Sequence, residues 1–250
     1  MTEMELLIDF FVDAERQGPG SPSDTLRALQ FIDLEQDKPL KVADIGCGTG
    51  GQTITLAQNI KAQITAVDLF PKFLVKLNLK AKETNLQNKI RTLKRSMDDL
   101  DFNKEEFDII WSEGAIYIMG FAAGIKKWKY FLKTGGYLAI SELTWLSNLR
   151  PKKIEEYWHN QYSEVDTAAN KIKILEKNGF SLVGYFILPE SSWIDNYYKP
   201  MEERFDDFLR KHDNSELARK IVNEHKEEIR YYKMAKNHCS YGFYIAKKIG

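Results

Sequence analysis

At 250 residues, with 36 basic side chains offset by 36 acidic ones, the chain is long enough to bury one sizeable core and carries no net charge. That balance argues against a nucleic-acid enzyme, which usually presents a basic face to release phosphate counterions. The two cysteines, Cys47 and Cys239, are too few and too far apart for a disulfide framework or a zinc site, and no apolar run approaches the roughly 18 residues of a membrane span. The lysine clusters at Lys126, Lys127 and Lys129 and at Lys152 and Lys153 read as solvated helix faces.

Residues 4–15 are expected to form a helix with Leu6, Leu7, Phe10 and Phe11 on one side. Gln17-Gly18-Pro19-Gly20 interrupts the chain and has the composition of a hinge. Ser21 caps a second helix, with Pro22 at its first position and Asp24 in its first turn. Glu3 and Glu5 stand where a signal peptide would carry positive charge, so a cytoplasmic protein is expected.

The next stretch is the most informative. Val42-Ala43-Asp44-Ile45 is a short apolar strand ending near an acid, and Gly46, Gly48 and Gly50 follow at alternate positions before a helical pattern. Glycine lets the backbone turn sharply and lets a ligand approach with no Cβ in the way. Between a buried strand and a helix N-terminus, such a loop forms the nucleotide crevice of an open α/β sheet. The G-x-G-x-G spacing differs from the dinucleotide fingerprint, although Gly51 blurs the distinction, and no P-loop is present.

Strand and helix then alternate, which implies a mostly parallel sheet. Strands are expected at Ile64–Asp68, Ile90–Leu93, Phe107–Trp111 and Gly135–Ile140, with Ser96-Met97-Asp98-Asp99 closing the second of these. Helices are expected over 51–59, 71–84, 121–131 and 163–178, the last stopping at Asn178-Gly179. Phe180–Leu188 resumes as a strand and Tyr241–Ala246 is the final one. Between them 189–240 reads as helical, with Leu217, Ala218, Ile221, Val222, Ile229 and Tyr232 near one stripe.

Taken in order, Asp44 and its glycine loop, Asp68, Met97-Asp98 and these strands resemble the class I S-adenosylmethionine-dependent methyltransferases. The resemblance is strong over residues 1–145 and rests on layout beyond. It is most similar to the small-molecule branch that includes ubiquinone and menaquinone methyltransferases. It implies a doubly wound, seven-stranded α/β sheet in one domain, with the last strand antiparallel beside the fifth. Residues 1–36 would be N-terminal helices serving as a lid, 37–188 and 241–250 the core sheet, and 189–240 a helical insertion over one edge. A homodimer is compatible with this arrangement.

The resemblance also implies S-adenosylmethionine as methyl donor. Asp44 would orient the loop by accepting backbone N–H bonds and lie near the methionine amino group, and Gly46, Gly48 and Gly50 would run beside the methionine and ribose. Asp68 would accept both ribose hydroxyls, which suits the two oxygens of a carboxylate. Leu69 and Met97 would flank the adenine, with Ser96 beside them and Asp98, or Asp99 one position on, accepting from its amino group. Glu113 would hold the methionine end or face the acceptor. Each acid also has a plainer reading as a strand-end or helix cap.

Methyl transfer from a sulfonium needs alignment more than covalent help, and a general base only when the acceptor must lose a proton. The base candidates are Glu142 and His159; Tyr117, the third catalytic candidate, would close on the sulfonium or the acceptor with its ring face, or else pack in the core. His212, His225 and His238 lack metal-ligand spacing and are read as structural. No Asn/Asp-Pro-Pro-Tyr sequence follows Trp111, which argues against a base amine as acceptor. The acceptor pocket is expected to draw on 16–20, 145–158 and 192–198, and the Trp and Tyr of the last two segments suit a small acceptor, or equally the seam where the insertion packs. Rival readings are a cofactor-binding module without activity, a methyltransferase acting on RNA or protein, and a nicotinamide-dependent oxidoreductase, which the loop spacing disfavours.

Overall fold

Apolar runs of four to six residues, each flanked by turn residues, become parallel strands because burial on both faces needs no alternation. The computed structural model describes residues 1–33 and 39–250, so the expected boundary between residues 36 and 37 lies outside the described residues. The strands are β1 (Leu40–Ile45), β2 (Ala62–Asp68), β3 (Ile90–Lys94), β4 (Phe107–Glu113), β5 (Leu132–Trp145), β6 (Asp166–Thr167), β7 (Phe180–Ile187) and β8 (Cys239–Lys248). They lie in the order β3-β2-β1-β4-β5-β8-β7, with the two-residue β6 paired to the end of β5. The first five are parallel, and β8 runs antiparallel between β5 and β7. The fold is the expected α/β methyltransferase sheet, with one short strand beyond the expected seven.

Helices α3 (Gly51–Asn59), α4 (Pro71–Glu83), α5 (Phe121–Trp128) and α7 (Ala168–Lys177) cover the two faces. One face buries Val42, Ile64, Leu56 and Leu77, the other Ile45, Ile110, Ile125 and Trp128. Strand order reverses between β1 and β4. In an open α/β sheet a ligand crevice lies at the carboxyl ends of the strands at that reversal.

A third core sits above this carboxyl edge. It joins α1 (Glu3–Phe11), α6 (Lys152–Gln161), α9 (Lys199–Lys211) and α10 (Glu216–Ala235) to Leu143, Trp145 and Cys239 at the strand ends. The insertion therefore caps the strand ends, where the sequence suggested one sheet edge. Short α8 (Glu190–Trp193) and a π turn at Ile194–Tyr198 lead into it, and Trp193 stacks on Tyr232 at 4.4 Å. Such a pair contributes roughly 0.5–1.5 kcal/mol beyond its buried area. Leu217 falls off the expected stripe and is 37% exposed, while Ala218, Ile221, Val222, Ile229 and Tyr232 are buried.

Two helices differ from expectation for local reasons. The first ends at Phe11, before the expected residue 15, because the Ala14 and Glu15 carbonyls each accept from the Thr49 hydroxyl at 2.9 Å. The expected 163–178 helix begins only at Ala168, because Asp166 and Thr167 pair with Thr144 and Trp145 of β5. Helix α2 (Pro22–Leu29) is as read: the Ser21 side chain accepts from Asp24 N, with Pro22 in the first turn. No helix among the described residues is long and apolar enough to cross a membrane.

Candidate active site

The loop after β1 turns through Gly46 at φ +77° and Gly48 at φ +54°, conformations that L side chains rarely adopt. A Cβ on Gly46 would stand 2.4 Å from that of Ala115, and one on Gly48 would meet Gln17 Oε1 at 1.9 Å. These glycines thus let the chain itself close in from β4 and from the N-terminal segment. Gly50 faces Leu77 of α4 and lies outside the cavity lining.

Asp68 fixes the loop from the neighbouring strand. Its Oδ2 accepts from Gly48 N and its Oδ1 from Phe70 N, each at 2.9 Å. Burial pushes its carboxyl up, against the pull of those two N–H groups. Asp44 is fully buried behind the loop, where Thr53 Oγ1 donates to it at 2.5 Å and Gln52 Nε2 at 3.2 Å. Its partners are these side chains of α3 rather than the backbone N–H groups expected. Burial pushes Asp44 up to about 7.

A cavity of about 480 Å³ opens at the strand reversal, within the range of small-ligand sites. Gly46, Gly48, Asp68, Leu69, Ser96, Met97, Glu113 and Tyr117 line it together, as do Arg16 to Pro19. Leu69 is 48% exposed, so the lip beside it is open. Asp98 does not line the cavity; it is exposed and accepts from the Ser96 hydroxyl.

Glu113 is held by the chain. Its Oε2 accepts from Arg16 Nη1 at 2.7 Å, and its Oε1 from Thr25 Oγ1 at 2.7 Å and Trp111 Nε1 at 2.9 Å. Gln17 crosses the loop beside it: Oε1 accepts from Thr49 N at 2.8 Å, and Nε2 donates to Thr49 Oγ1 and Phe11 O at 3.1 Å. The N-terminal segment thus lies closed over the glycine turn.

Of the three catalytic candidates, Tyr117 alone lines the cavity. Burial, then the Glu142 charge, pushes its hydroxyl up. Glu142 is 1% exposed within β5, beneath that wall, and burial pushes it up to about 7 despite the Lys171 ammonium nearby. His159 is a correction: it lies on α6 away from the cavity, its side chain 41% exposed, its ring edge-on to Trp145 and Nε2 4.0 Å from Glu155. Trp145, Trp158 and Trp193 are buried in the cap core, so these tryptophans form the seam and not the pocket.

His212 Nε2 meets Asp9 at 2.9 Å and His225 Nδ1 meets Ile221 O at 2.8 Å, both packing roles. Among the described residues no group of His, Cys, Asp and Glu could hold a metal ion. Burial pushes the Cys47 thiol up, and that of Cys239 up to about 12, so both remain unreactive thiols. Sequence reading missed Tyr162, Lys171 and Glu228, which gather near the site only through tertiary packing.

Residues 42–136 match the methyltransferase domain family. Over 49% of its length the chain is 29% identical to a chloroplastic tocopherol O-methyltransferase of Arabidopsis thaliana, covering 35% of that protein. Over 41% it is 32% identical to the erythromycin 3''-O-methyltransferase of Saccharopolyspora erythraea, covering 34% of it. The chain thus spans about a third of the length of these two relatives. A methyltransferase structure from Geobacter sulfurreducens, in complex with S-adenosylhomocysteine, superposes with a TM-score of 0.85 at 17% identity, covering 98% of each chain. The fold is that of the class I S-adenosylmethionine-dependent methyltransferases, and the domain match falls on the half that carries the glycine loop, Asp68 and Glu113.

Proposed function

We propose that this chain binds S-adenosylmethionine in the cavity at the strand reversal and transfers its methyl group in line to a small-molecule acceptor. One observation carries the reading: Asp68, Leu69, Ser96, Met97 and the Gly46–Gly48 turn line a single cavity. Asp68 spends one lone pair of each oxygen on the loop and keeps others for ribose hydroxyls. Leu69 and Met97 supply apolar faces for the adenine, and Ser96 lies at its amino edge. Asp44 and Gly50 act from behind, holding the loop, and Glu113 lines the cavity at the methionine end.

The sulfonium supplies an activated methyl group, so the chain's task is to align the acceptor and exclude water. The segment Arg16–Gly20, fastened to Glu113 and Thr49, supplies the exclusion. Tyr117 faces the acceptor, with Glu142 beneath it as the proton acceptor where one is needed. A small acceptor is favoured by the neutral charge, by the cavity's volume of about 480 Å³, and by relatives named for tocopherol and erythromycin.

Isothermal titration with S-adenosylmethionine and S-adenosylhomocysteine is the first test, and no heat with either from folded protein sinks the proposal. Transfer of labelled methyl into a metabolite extract is the second. Binding without transfer leaves a cofactor-binding module, and label appearing in RNA or protein moves the acceptor to that class.

A further inference from the structure

At one wall of the cavity, aromatic rings stand between two carboxylates that the rest of the fold leaves poorly compensated. Phe11, Gly114 and Tyr117 form the wall. Tyr241 packs directly behind Gly114, where an added Cβ would come within 2.9 Å of its ring. Tyr197 stacks with Phe11, ring centroids 6.5 Å apart.

On the sheet side is Glu142, whose Oε1 accepts from Leu143 N at 2.6 Å. Its Oε2 is buried with no hydrogen-bond partner among the described residues, and the Tyr162 hydroxyl lies beside it without closing a bond. On the cap side Glu228 of α10 accepts from the Tyr198 hydroxyl at 2.8 Å. Burial raises the hydroxyls of both Tyr117 and Tyr241, and the charges of Glu142 and Glu228 add to it in each case. Both rings are therefore within electrostatic reach of both carboxylates.

Neither carboxylate has a lysine or arginine ion pair among the described residues. Lys171 Nζ donates to Glu164 O at 3.3 Å and lies over the Phe121 ring at 4.4 Å, and its charge offsets only part of the cost of burying Glu142. Arg204 lies over Phe10 at 5.5 Å, and His225, whose Nδ1 meets the Ile221 carbonyl, eases the burial of Glu228. A buried carboxylate without a cation is costly, and electron-rich ring faces attract positive charge. A wall of this composition complements a compact organic cation.

Resting on the methyl-transfer reading above, we infer that the acceptor is an amine, received at Tyr117 against the wall that Tyr241 backs, between Glu142 and Glu228, and released as a methylated ammonium. The nitrogen lone pair attacks the methyl carbon, an N–C bond forms, and the C–S bond breaks with its electron pair remaining on sulfur. Positive charge passes from sulfur to nitrogen and stays between the carboxylates. For a tertiary amine the balance is then complete; a primary or secondary amine loses one proton to solvent on leaving. Interactions that strengthen as charge develops accelerate the step itself.

The test compares choline with its neutral isostere 3,3-dimethylbutan-1-ol, each titrated by calorimetry into protein saturated with S-adenosylhomocysteine. Choline is expected to bind at least tenfold more tightly than the alcohol. Glu228→Gln should erase at least fivefold of that preference while leaving S-adenosylhomocysteine affinity unchanged. Tyr117→Leu, checked for folding by circular dichroism, should act in the same direction. Equal binding of the two probes, or binding of neither, to the loaded protein overturns the inference alone. Failure of S-adenosylhomocysteine itself to bind overturns the methyl-transfer reading and this inference with it.

Discussion

The guanidinium of Arg16 and the carboxylate of Glu113 meet at 2.7 Å across 97 positions of sequence, with side chains only 6% and 5% exposed. Thr25 joins them, its hydroxyl accepting from Arg16 Nη2 at 3.1 Å and donating to Glu113 Oε1. Because Glu113 ends β4 at the strand reversal, this pair fastens the N-terminal segment to the edge where the cavity opens. Asp24 adds a second tie, accepting from Ser192 of the insertion at 2.6 Å.

Loss of one member of a buried ion pair strands the other, at a cost of about 3–5 kcal/mol. Arg16→Met is therefore expected to destabilise the protein by that amount in urea denaturation. The double change Arg16→Met with Glu113→Gln should recover part of the loss. If the double variant is less stable than the single by a further full increment, the two side chains do not act as a pair.

Gln17 makes the N-terminal segment a reporter of the site, since its amide grips both Thr49 and Phe11 across Gly48. Trypsin cleavage after Arg16 requires this segment to lift, because Arg16 is buried. S-adenosylhomocysteine should slow that cleavage, and Gln17→Ala should speed it in the unliganded protein. Equal rates with and without the ligand count against a closing segment.

Burial of Asp44 gives a pH dependence of definite sign. Its carboxyl rises from 3.8 unfolded to about 7 folded, so between those values the folded state holds a proton the unfolded state has released. Stability from this group is complete below about pH 4 and is lost as pH rises toward 7, by at most about 1.4 kcal/mol per unit. Asp44→Asn keeps the acceptor for Thr53 and removes the titration. The stability difference between wild type and this variant, from urea titrations at pH 5 and pH 7.5, should move against the wild type at the higher pH. A difference that does not change would mean that Asp44 is ionised throughout.

The sheet was legible because its strands are short apolar runs and its loop glycines sit at positive φ, both local properties. Val42–Asp44, Asp68 and Met97 needed no knowledge of distant contacts. Helix α6 was not anticipated: only Ile154 and Trp158 mark its buried face, and its flanks read as loop. The tryptophans at 145, 158 and 193 could not be assigned, since pocket and seam both favour flat apolar rings, and packing against α10 decides it. The Arg16–Glu113 pair was equally invisible. Each residue was a candidate for the site, but their distance in sequence hides that they satisfy one another.

Asp68 joins loop shape to ligand contact, and its substitution separates the two. Among the described residues its oxygens accept from the Gly48 and Phe70 N–H groups, and burial raises its carboxyl, so further donors would be taken up favourably. Two ribose hydroxyls would supply them. Asp68→Ala is expected to weaken S-adenosylhomocysteine binding by about 1.5–3 kcal/mol, roughly 10- to 150-fold in Kd by calorimetry. Asp68→Asn should retain the fold, since its carbonyl can still accept one loop N–H, yet lose a comparable share of affinity because it presents an amide donor to a hydroxyl pair. Asp98→Ala is the contrast: its carboxylate is exposed, outside the cavity lining and already bonded to Ser96, so its loss should leave the affinity nearly unchanged. If Asp98→Ala weakens binding more than Asp68→Ala, the ribose lies elsewhere and the orientation of the cofactor in this cavity must be reversed.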